Sequence, residues 1–561
     1  MLLALLACAT PTPRSGLEGA TGGTPPQNTV KTLTIAGGLA NLGFAVWNAS
    51  NAGHLHSVEN VHSVGLVNVD QNGNLEGRLA VKTPSLDDQT IAVLPDGRMQ
   101  TIWKLRPNVV WHDGTPFSAD DLVFTWRMMN TAGIPVFTAT SVRNMESMEA
   151  PDPLTLVITY KSTYYQASTL VLQDFWPVPR HVLGDALQGD TEAFLNHPYW
   201  TTEYIQMGPF RLVDYGLGES IAFERFDNYF LGRPKLDRVI LRAIPDPNTL
   251  FANVRAGTVD MATELSLPPD LLVQLRDEWK QTGGGSVLSR QGALRYFKVQ
   301  FDPEWAKLPE MGRDPRVRQA LYMGVDRDSL RAALFPGFDD TEADTYMLKK
   351  DPRAPVVGKP FARYPFDPAR AVQVLAGTSF ARASDGRILN PAGEQVQVPI
   401  RGDRAFFKEA QIAGDGWRRM GFDVAEEVQS PELAGRADYR AQFPGLTTLA
   451  RGTGDTIFVN FDSRSIPRTQ NRFAGQNAGA YANPSFDRLL DQLYASLDQQ
   501  EQAQLLKQAG EILASDLPLF PLYFRVELTA VVRGVHALTD DYASADSRTI
   551  ARRAHLWDRD G

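Results

Sequence analysis

The sequence predicts an α/β chain with several helix-covered sheets. Three observations point there. Helices start repeatedly at an Asp-Pro or Asn-Pro step followed by apolar residues at helical spacing, and segments of strand type separate them. Hydrophobic residues make up 43% against 22% charged, which is enough apolar material for large cores. At about 150 residues per domain, 561 residues imply three to four domain-sized units. That composition excludes collagen-like, coiled-coil and wholly disordered chains.

The elements follow in order. Thr32-Leu33-Thr34-Ile35-Ala36 reads as a strand ending in Gly37-Gly38. Asp70-Gln71-Asn72-Gly73-Asn74 has its glycine in the wrong place for a calcium loop and lacks the terminal Glu, so an Asn-Gly hairpin turn is favoured. Gln100 to Leu105 alternates like a half-buried strand and runs into the His112-Asp113-Gly114-Thr115 turn. Ser118 then caps a helix with Asp121 at its third position, and Phe117 packs on Leu122 as a staple. Leu122, Val123 and Trp126 mark its buried face. Phe210 to Phe230 reads as a hairpin turning around Gly216–Gly218, with Ile221, Phe223 and Arg225 on one side. Further helices open at Asp246-Pro247, Asp314-Pro315, Asp367-Pro368, Asn483-Pro484 and Asp498, the last with Glu501 as its capping partner.

The amino terminus carries a different signal. Met1-Leu2-Leu3-Ala4-Leu5-Leu6-Ala7-Cys8 resembles the end of a bacterial lipoprotein signal peptide (residues 1–8), although the usual basic segment is missing. Residues 9–30 hold four Pro, four Gly and five Thr, so they read as a tether with an end-to-end distance of about 26 Å. Acyl chains on Cys8 would each contribute about 0.8 kcal/mol per buried methylene. The expected location is the extracytoplasmic face of a bacterial cell membrane or the periplasm, with the lipid anchor as the only membrane contact. No apolar run reaches the ~20 residues that a bilayer span needs. A net charge of −9 gives no reason to expect nucleic acid.

A search for chemistry is mostly negative. There is no G-x-S-x-G elbow, no H-E-x-x-H helix and no phosphate-binding G-x-x-x-x-G-K. One cysteine excludes a cysteine-rich metal site, and Cys8 lies too near the terminus for a catalytic thiol. His54, His56 and His62 fall within nine residues, but without a companion acidic or cysteine cluster a polar helix surface is preferred over a metal site. The expectation is no metal, no cofactor and no enzymatic activity.

A resemblance is carried by residues already named. Trp103-Lys104-Leu105-Arg106-Pro107 with Trp111 to Phe124 resembles the signature of family 5 extracellular solute-binding proteins, the dipeptide- and oligopeptide-binding components of ABC importers. Gly208-Pro209-Phe210-Arg211 and Asp227 to Asp237 resemble that family's hairpin and following loop. Arg255-Ala256-Gly257-Thr258-Val259-Asp260 resembles its helix-to-strand turn, and Pro315 to Leu321 with Val325-Asp326-Arg327 the start of its second lobe. The likeness covers about residues 31–535, including the C-terminal helices and the strand Leu519 to Val532.

The resemblance implies a two-lobed periplasmic-binding-protein fold whose lobes are joined by two hinge strands. Lobe I would take residues 31–285, with an inserted subdomain at about 60–170, and lobe II residues 286–517, while 518–561 returns to lobe I. The implied function is the substrate-binding component of an ABC importer: a monomer that captures a peptide between its lobes and delivers it to a permease with ATPase subunits. Cleft positions implied by the family are Asn41, Trp47, Tyr204, Gln206, Tyr296, Phe443, Arg451 and Asp455. Peptide-binding relatives have an aspartate in a Trp-rich lobe-II loop that pairs with the peptide's amino group. Here that loop, Phe443 to Asp455, lacks Trp and places Arg451 ahead of the acid, where a guanidinium fork suits a carboxylate or phosphate. The same scaffold with a non-peptide ligand (an oligosaccharide, an opine or a nickel chelate) is the alternative, and a secreted hydrolase a distant one.

Overall fold

The computed structural model describes residues 30–560 except 38–43, 45–55, 71, 135–139, 171–174, 217, 264–265, 339–340, 403–406, 431, 434–435, 472, 474 and 539–549. Cys8 and the tether therefore lie outside the described residues. Ten strands form one mixed sheet in the order Asp423–Val428, Gln397–Gly402, Leu446–Arg451, Gly285–Val299, Leu519–Val532, Met261–Ala262, Thr32–Gly37, Arg238–Ala243, Ser220–Arg225, Phe210–Gly216. The two central strands are unusually long, at 15 and 14 residues, or roughly 45–50 Å at about 3.3 Å per residue. Leu519–Val532 is buried along nearly its whole length because both its faces are covered. The pair runs antiparallel from Gly285 opposite Val532 to Lys298 opposite Leu519. One end joins the strands of lobe I and the other joins Leu446–Arg451 in lobe II, so this ribbon carries the chain across and back.

Mid-ribbon the register breaks between Gln291 and Leu294 and again between Arg295 and Tyr296. A bulge of this kind bends a strand and raises its twist. Gly292 sits there because a Cβ would fall 2.5 Å from Glu527 Oε1. Arg290 and Arg525 both donate to the Glu527 carboxylate, so the bend is crossed by a buried ionic cluster.

A second sheet orders Ile91–Val93, Met99–Lys104, Thr155–Tyr160 and Met145–Asp152, with the helix Ala119–Met129 packed on it. Trp103, Trp111, Leu122 and Ile158 fill a core of its own. The helix starts as its sequence indicates: the Ser118 N–H donates to Asp121 Oδ2 at 3.0 Å, and Phe117 and Leu122 are both buried. The His112–Thr115 turn beside it is scaffold. Gln206 N–H donates to His112 Nδ1 at 3.1 Å, which leaves His112 Nε2–H to donate to the Gly208 carbonyl at 3.0 Å. The two signature segments thus clasp each other through one buried imidazole.

Four Asx-Pro steps and the Asp498 cap open helices where they were expected. Asp246 accepts from the Thr249 N–H at 2.7 Å, Asp314 from Arg316, Asp367 from Arg370, Asn483 from Ser485 and Phe486, and Asp498 from Glu501. Gly257 takes φ +72° after the helix Pro247–Arg255, and Asp260 then accepts from the Thr34 N–H, fixing the turn to the first strand. The Asp70–Asn74 segment is a hairpin turn between Val67–Val69 and Leu75–Gly77. His62 departs from its expectation. It is 2% exposed, stacks on Phe223 at 5.1 Å, and its Nδ1 lies 2.8 Å from Ser63 Oγ and 3.0 Å from the Tyr204 hydroxyl. An imidazole that can satisfy its polar atoms inside an aromatic cluster belongs to the core, not to a polar helix surface. His54 and the His56 side chain lie outside the described residues.

Candidate functional site

Strand direction locates the cleft. Arg451 lies opposite Leu294, near the bulge, and Leu446 opposite Val299, so Leu446–Arg451 runs towards lobe I. Gln397–Gly402 and Asp423–Val428 lie parallel to it, which points their carboxyl ends the same way. In lobe I, Met261–Ala262 runs antiparallel to Leu519–Val532, and Thr32–Gly37 and Arg238–Ala243 follow it in parallel, with carboxyl ends towards lobe II. Both lobes present the carboxyl ends of parallel strands to each other, where open α/β sheets hold ligands.

A polar cavity of about 180 Å³ opens by the carboxyl ends of Gln397–Gly402 and Asp423–Val428, beside the first half of Leu446–Arg451. Lys298, Arg401, Arg440, Thr447, Asn460 and Gln476 are among its lining residues. Lys298 pairs with Thr447 and Thr447 with Arg401, so the three side chains share one face of the sheet. The Lys298 ammonium donates to the Gln476 carbonyl at 2.9 Å and the Asn460 carbonyl at 3.3 Å, with the Phe461 ring 5.4 Å away. Arg401 donates to Glu427 Oε1 at 2.9 Å and to the Tyr439 carbonyl at 3.0 Å, and lies 4.1 Å over the Tyr439 ring. Among the described residues three cations line this space, Arg401 already paired with Glu427, and such a lining suits the carboxylate or phosphate end of a solute.

A second cluster bridges the lobes. Asp455, 7% exposed, opens the short helix Gly454–Asn460. Its Oδ2 accepts from the Tyr165 hydroxyl and from Gln166 Nε2 at 3.0 Å, and its Oδ1 from Arg353 at 3.2 Å. Arg353 is gripped in turn by both oxygens of Asp351, at 3.0 and 2.8 Å. Tyr165 stacks on Tyr494 at 5.6 Å, and its N–H donates to the Tyr494 carbonyl. Burial, then the Asp455 charge, pushes the Tyr165 hydroxyl well up, so it stays a donor. The Asp351 and Asp455 carboxylates outweigh desolvation at Arg353 and hold its guanidinium charged.

The other positions implied by the family are distributed more widely. Tyr204 is buried against Phe44, with ring centroids 3.8 Å apart, and its hydroxyl lies 2.6 Å from Ser63 Oγ. Gln206 is fully buried, donating to the Pro177 carbonyl and accepting from the Met207 N–H. Tyr296 and Phe443 are also fully buried, the former within the lobe-II core. Arg451 ends its strand beside the hinge, and its side chain lies outside the described residues, as do Asn41 and Trp47. The cavity row and the Asp455 partners are the residues that sequence reading missed. A lone arginine closing the buried strand Gln397–Gly402 was the available signal for Arg401.

The chain matches the family model of bacterial extracellular solute-binding proteins, family 5 Middle, over residues 84–461. It belongs to this family. Heme-binding protein A of Haemophilus influenzae is 25% identical over 76% of this chain and 77% of that protein. Oligopeptide-binding protein AppA of Bacillus subtilis is 22% identical over 83% and 81%. The solved oligopeptide-binding protein of Thermus thermophilus, complexed with a pentapeptide, superposes with a TM-score of 0.68 at 20% identity, covering 94% of this chain and 96% of that one. The fold is the two-lobed one that such family 5 proteins share. Among the described residues no helix is long and apolar enough to cross a membrane.

Proposed function

We propose that this chain is the substrate-binding component of an ABC importer, closing its lobes on a peptide-sized solute and handing it to a permease. The observation that carries the ligand end of this reading is the cationic lining of Lys298 and Arg401 from the sheet and Arg440 from the helix Ala437–Ala441 beside it. A cavity of about 180 Å³ is too small for a whole peptide and fits one terminal group. Oligopeptide-binding relatives support a peptide, whose carboxylate would sit there. A lining with three cations equally favours a second reading, a non-peptide carboxylate, in keeping with the relative named for heme.

In this reading lobe I comprises residues 31–285 with the return 518–561, and lobe II residues 286–517. The loop after Gly37 brings Asn41 and Trp47 to the cleft, and Arg451 adds a further cation at its hinge side. The molecule works as a lipid-anchored monomer outside the cell membrane, held through Cys8. A hinge closure is favoured only by a ligand with higher affinity for the closed state.

Native mass spectrometry of the gently purified protein identifies the solute it carries. Arg440 is exposed, so Arg440→Ala keeps the fold and is expected to weaken binding of that solute by at least about tenfold, or 1.4 kcal/mol. Binding unchanged in this variant would remove the cavity from the site.

A further inference from the structure

The contacts at Asp455 join two parts of the molecule that have separate cores, and every group in them belongs to the protein. Tyr165 and Gln166 follow the strand Thr155–Tyr160 of the second sheet and are fixed from that side. The buried Tyr164 ring lies 5.8 Å from Tyr160 and 5.9 Å from Tyr165. Its hydroxyl donates to Gln166 Oε1 at 3.1 Å, which leaves the Gln166 amide nitrogen turned to Asp455. The Tyr160 hydroxyl donates to the Ala167 carbonyl at 3.3 Å and pins the turn to its strand. On the far side the Gly454 N–H donates to the Tyr346 carbonyl at 2.8 Å, and Arg353, gripped by Asp351, holds Asp455 Oδ1. Donors and acceptor are thus oriented before they meet, so little conformational freedom is lost when they do.

The junction is apolar as well as polar. Tyr165 stacks on Tyr494, its N–H donates to the Tyr494 carbonyl at 3.2 Å, and Leu497 packs against the core of the second sheet. None of these residues lines the cavity beside Lys298, so the junction forms whatever that cavity holds. It is also built to come apart. Tyr165, Gln166 and Tyr494 are half-buried, so on separation they exchange these bonds for water, while Asp455 keeps Arg353.

We propose that Tyr165, Gln166 and Asp455 form a latch that closes the lobes without a solute, so that loading and release both wait for it to open. The purpose of the latch rests on the importer reading given above, and its action is a property of the empty protein. A latch that stabilises the empty and the loaded closed forms alike adds nothing to selectivity. It acts on rates instead, because solute enters and leaves only during openings.

The test needs no solute and uses the full chain freed of any it carries. Hydrogen–deuterium exchange resolved by fragment reads the amide of residue 165, whose acceptor lies across the junction. The fragment holding it should exchange at least about tenfold faster in Tyr165→Phe/Gln166→Leu than in the parent, with the strand Thr155–Tyr160 unchanged. Solution scattering should give the empty parent the radius of gyration calculated from this structure, and the double variant a larger one. If the double variant loosens the strand as well, Tyr165→Phe alone decides, since it keeps the ring on Tyr494. Junction exchange quickened at least about threefold over an unchanged strand supports the latch. An empty parent already open in scattering, or junction exchange unmoved in both variants, overturns it. Failure of the importer reading shows elsewhere, as a purified protein that carries and binds no solute.

Discussion

Replacing Glu409 by leucine strands a guanidinium in the interior. Arg295 on the outgoing crossing strand and Glu409 at the start of the helix Lys408–Met420 are 2% and 0% exposed. Arg295 Nε donates to Glu409 Oε1 at 2.8 Å, its terminal nitrogen grips Oε2, and the Tyr523 hydroxyl from the returning strand adds a third bond. The pair thus ties one helix to both crossing strands. Removing one member of such a buried pair costs about 3–5 kcal/mol, because the survivor keeps its desolvation penalty without compensation. For a unit of lobe-II size, each kcal/mol is worth about 2–4 °C, so the expected fall in melting temperature is about 6–20 °C. The double variant Glu409→Leu/Arg295→Met removes both charges and refills the space with apolar groups. It should recover most of the loss, to within about 1 kcal/mol of the parent or better. Differential scanning calorimetry of the parent, both single variants and the double measures this. A single variant melting within about 2 °C of the parent, or a double that loses the sum of the singles, would refute the reasoning.

Three further outcomes are expected. Gly208→Ala places a Cβ 2.2 Å from the His62 carbonyl carbon, backbone against backbone, and should destabilise lobe I by about 1–3 kcal/mol in urea unfolding; an unchanged midpoint would sink this. Burial holds the His62 and His112 imidazoles down to about 3 and about 4, so the folded state declines a proton that the unfolded chain accepts below about pH 6.5. Stability is then full above that pH and falls towards pH 4 by about 1.4 kcal/mol per pH unit for each group, and a higher urea midpoint at about pH 4.5 than at pH 7 would contradict it. Cys8→Ser should move the protein from the membrane to the soluble fraction, whereas continued membrane retention would refute the anchor.

Much of the fold was legible because its signals are local. Asp246-Pro247, Asp314-Pro315 and Asn483-Pro484 each place a side-chain acceptor and a fixed φ at one helix start, and nothing distant alters that. The cleft was less legible. Lys298, Thr447 and Arg401 become one row only through the register of three strands that lie far apart along the chain. Asp455 was found, but its partners Tyr165 and Gln166 lie 290 and 289 positions earlier, on the other lobe. Tyr204 and Gln206 carry the marks of a binding residue, a polar tip near a strand end, yet neighbours supplied by His62, Ser63 and Pro177 satisfy those tips internally. His62 was misread for the same reason, since an imidazole's partners decide whether it can be buried.

The returning strand has a consequence for how the chain acquires its shape while it is being made. Leu519–Val532 lies between Gly285–Val299 and Met261–Ala262, in the middle of the sheet. A polypeptide emerging amino end first therefore exposes the first lobe's strands, from Thr32 onward, long before their central neighbour exists. The intervening segment is continuous and has most of its own partners, so it can fold as a unit while the earlier part waits with an open edge. Synthesis thus imposes a delay: nearly the whole chain must be available before the first half can settle. A secreted protein benefits from such a delay, because a chain that stays unfinished until its last strand arrives remains loose enough to be threaded across a membrane.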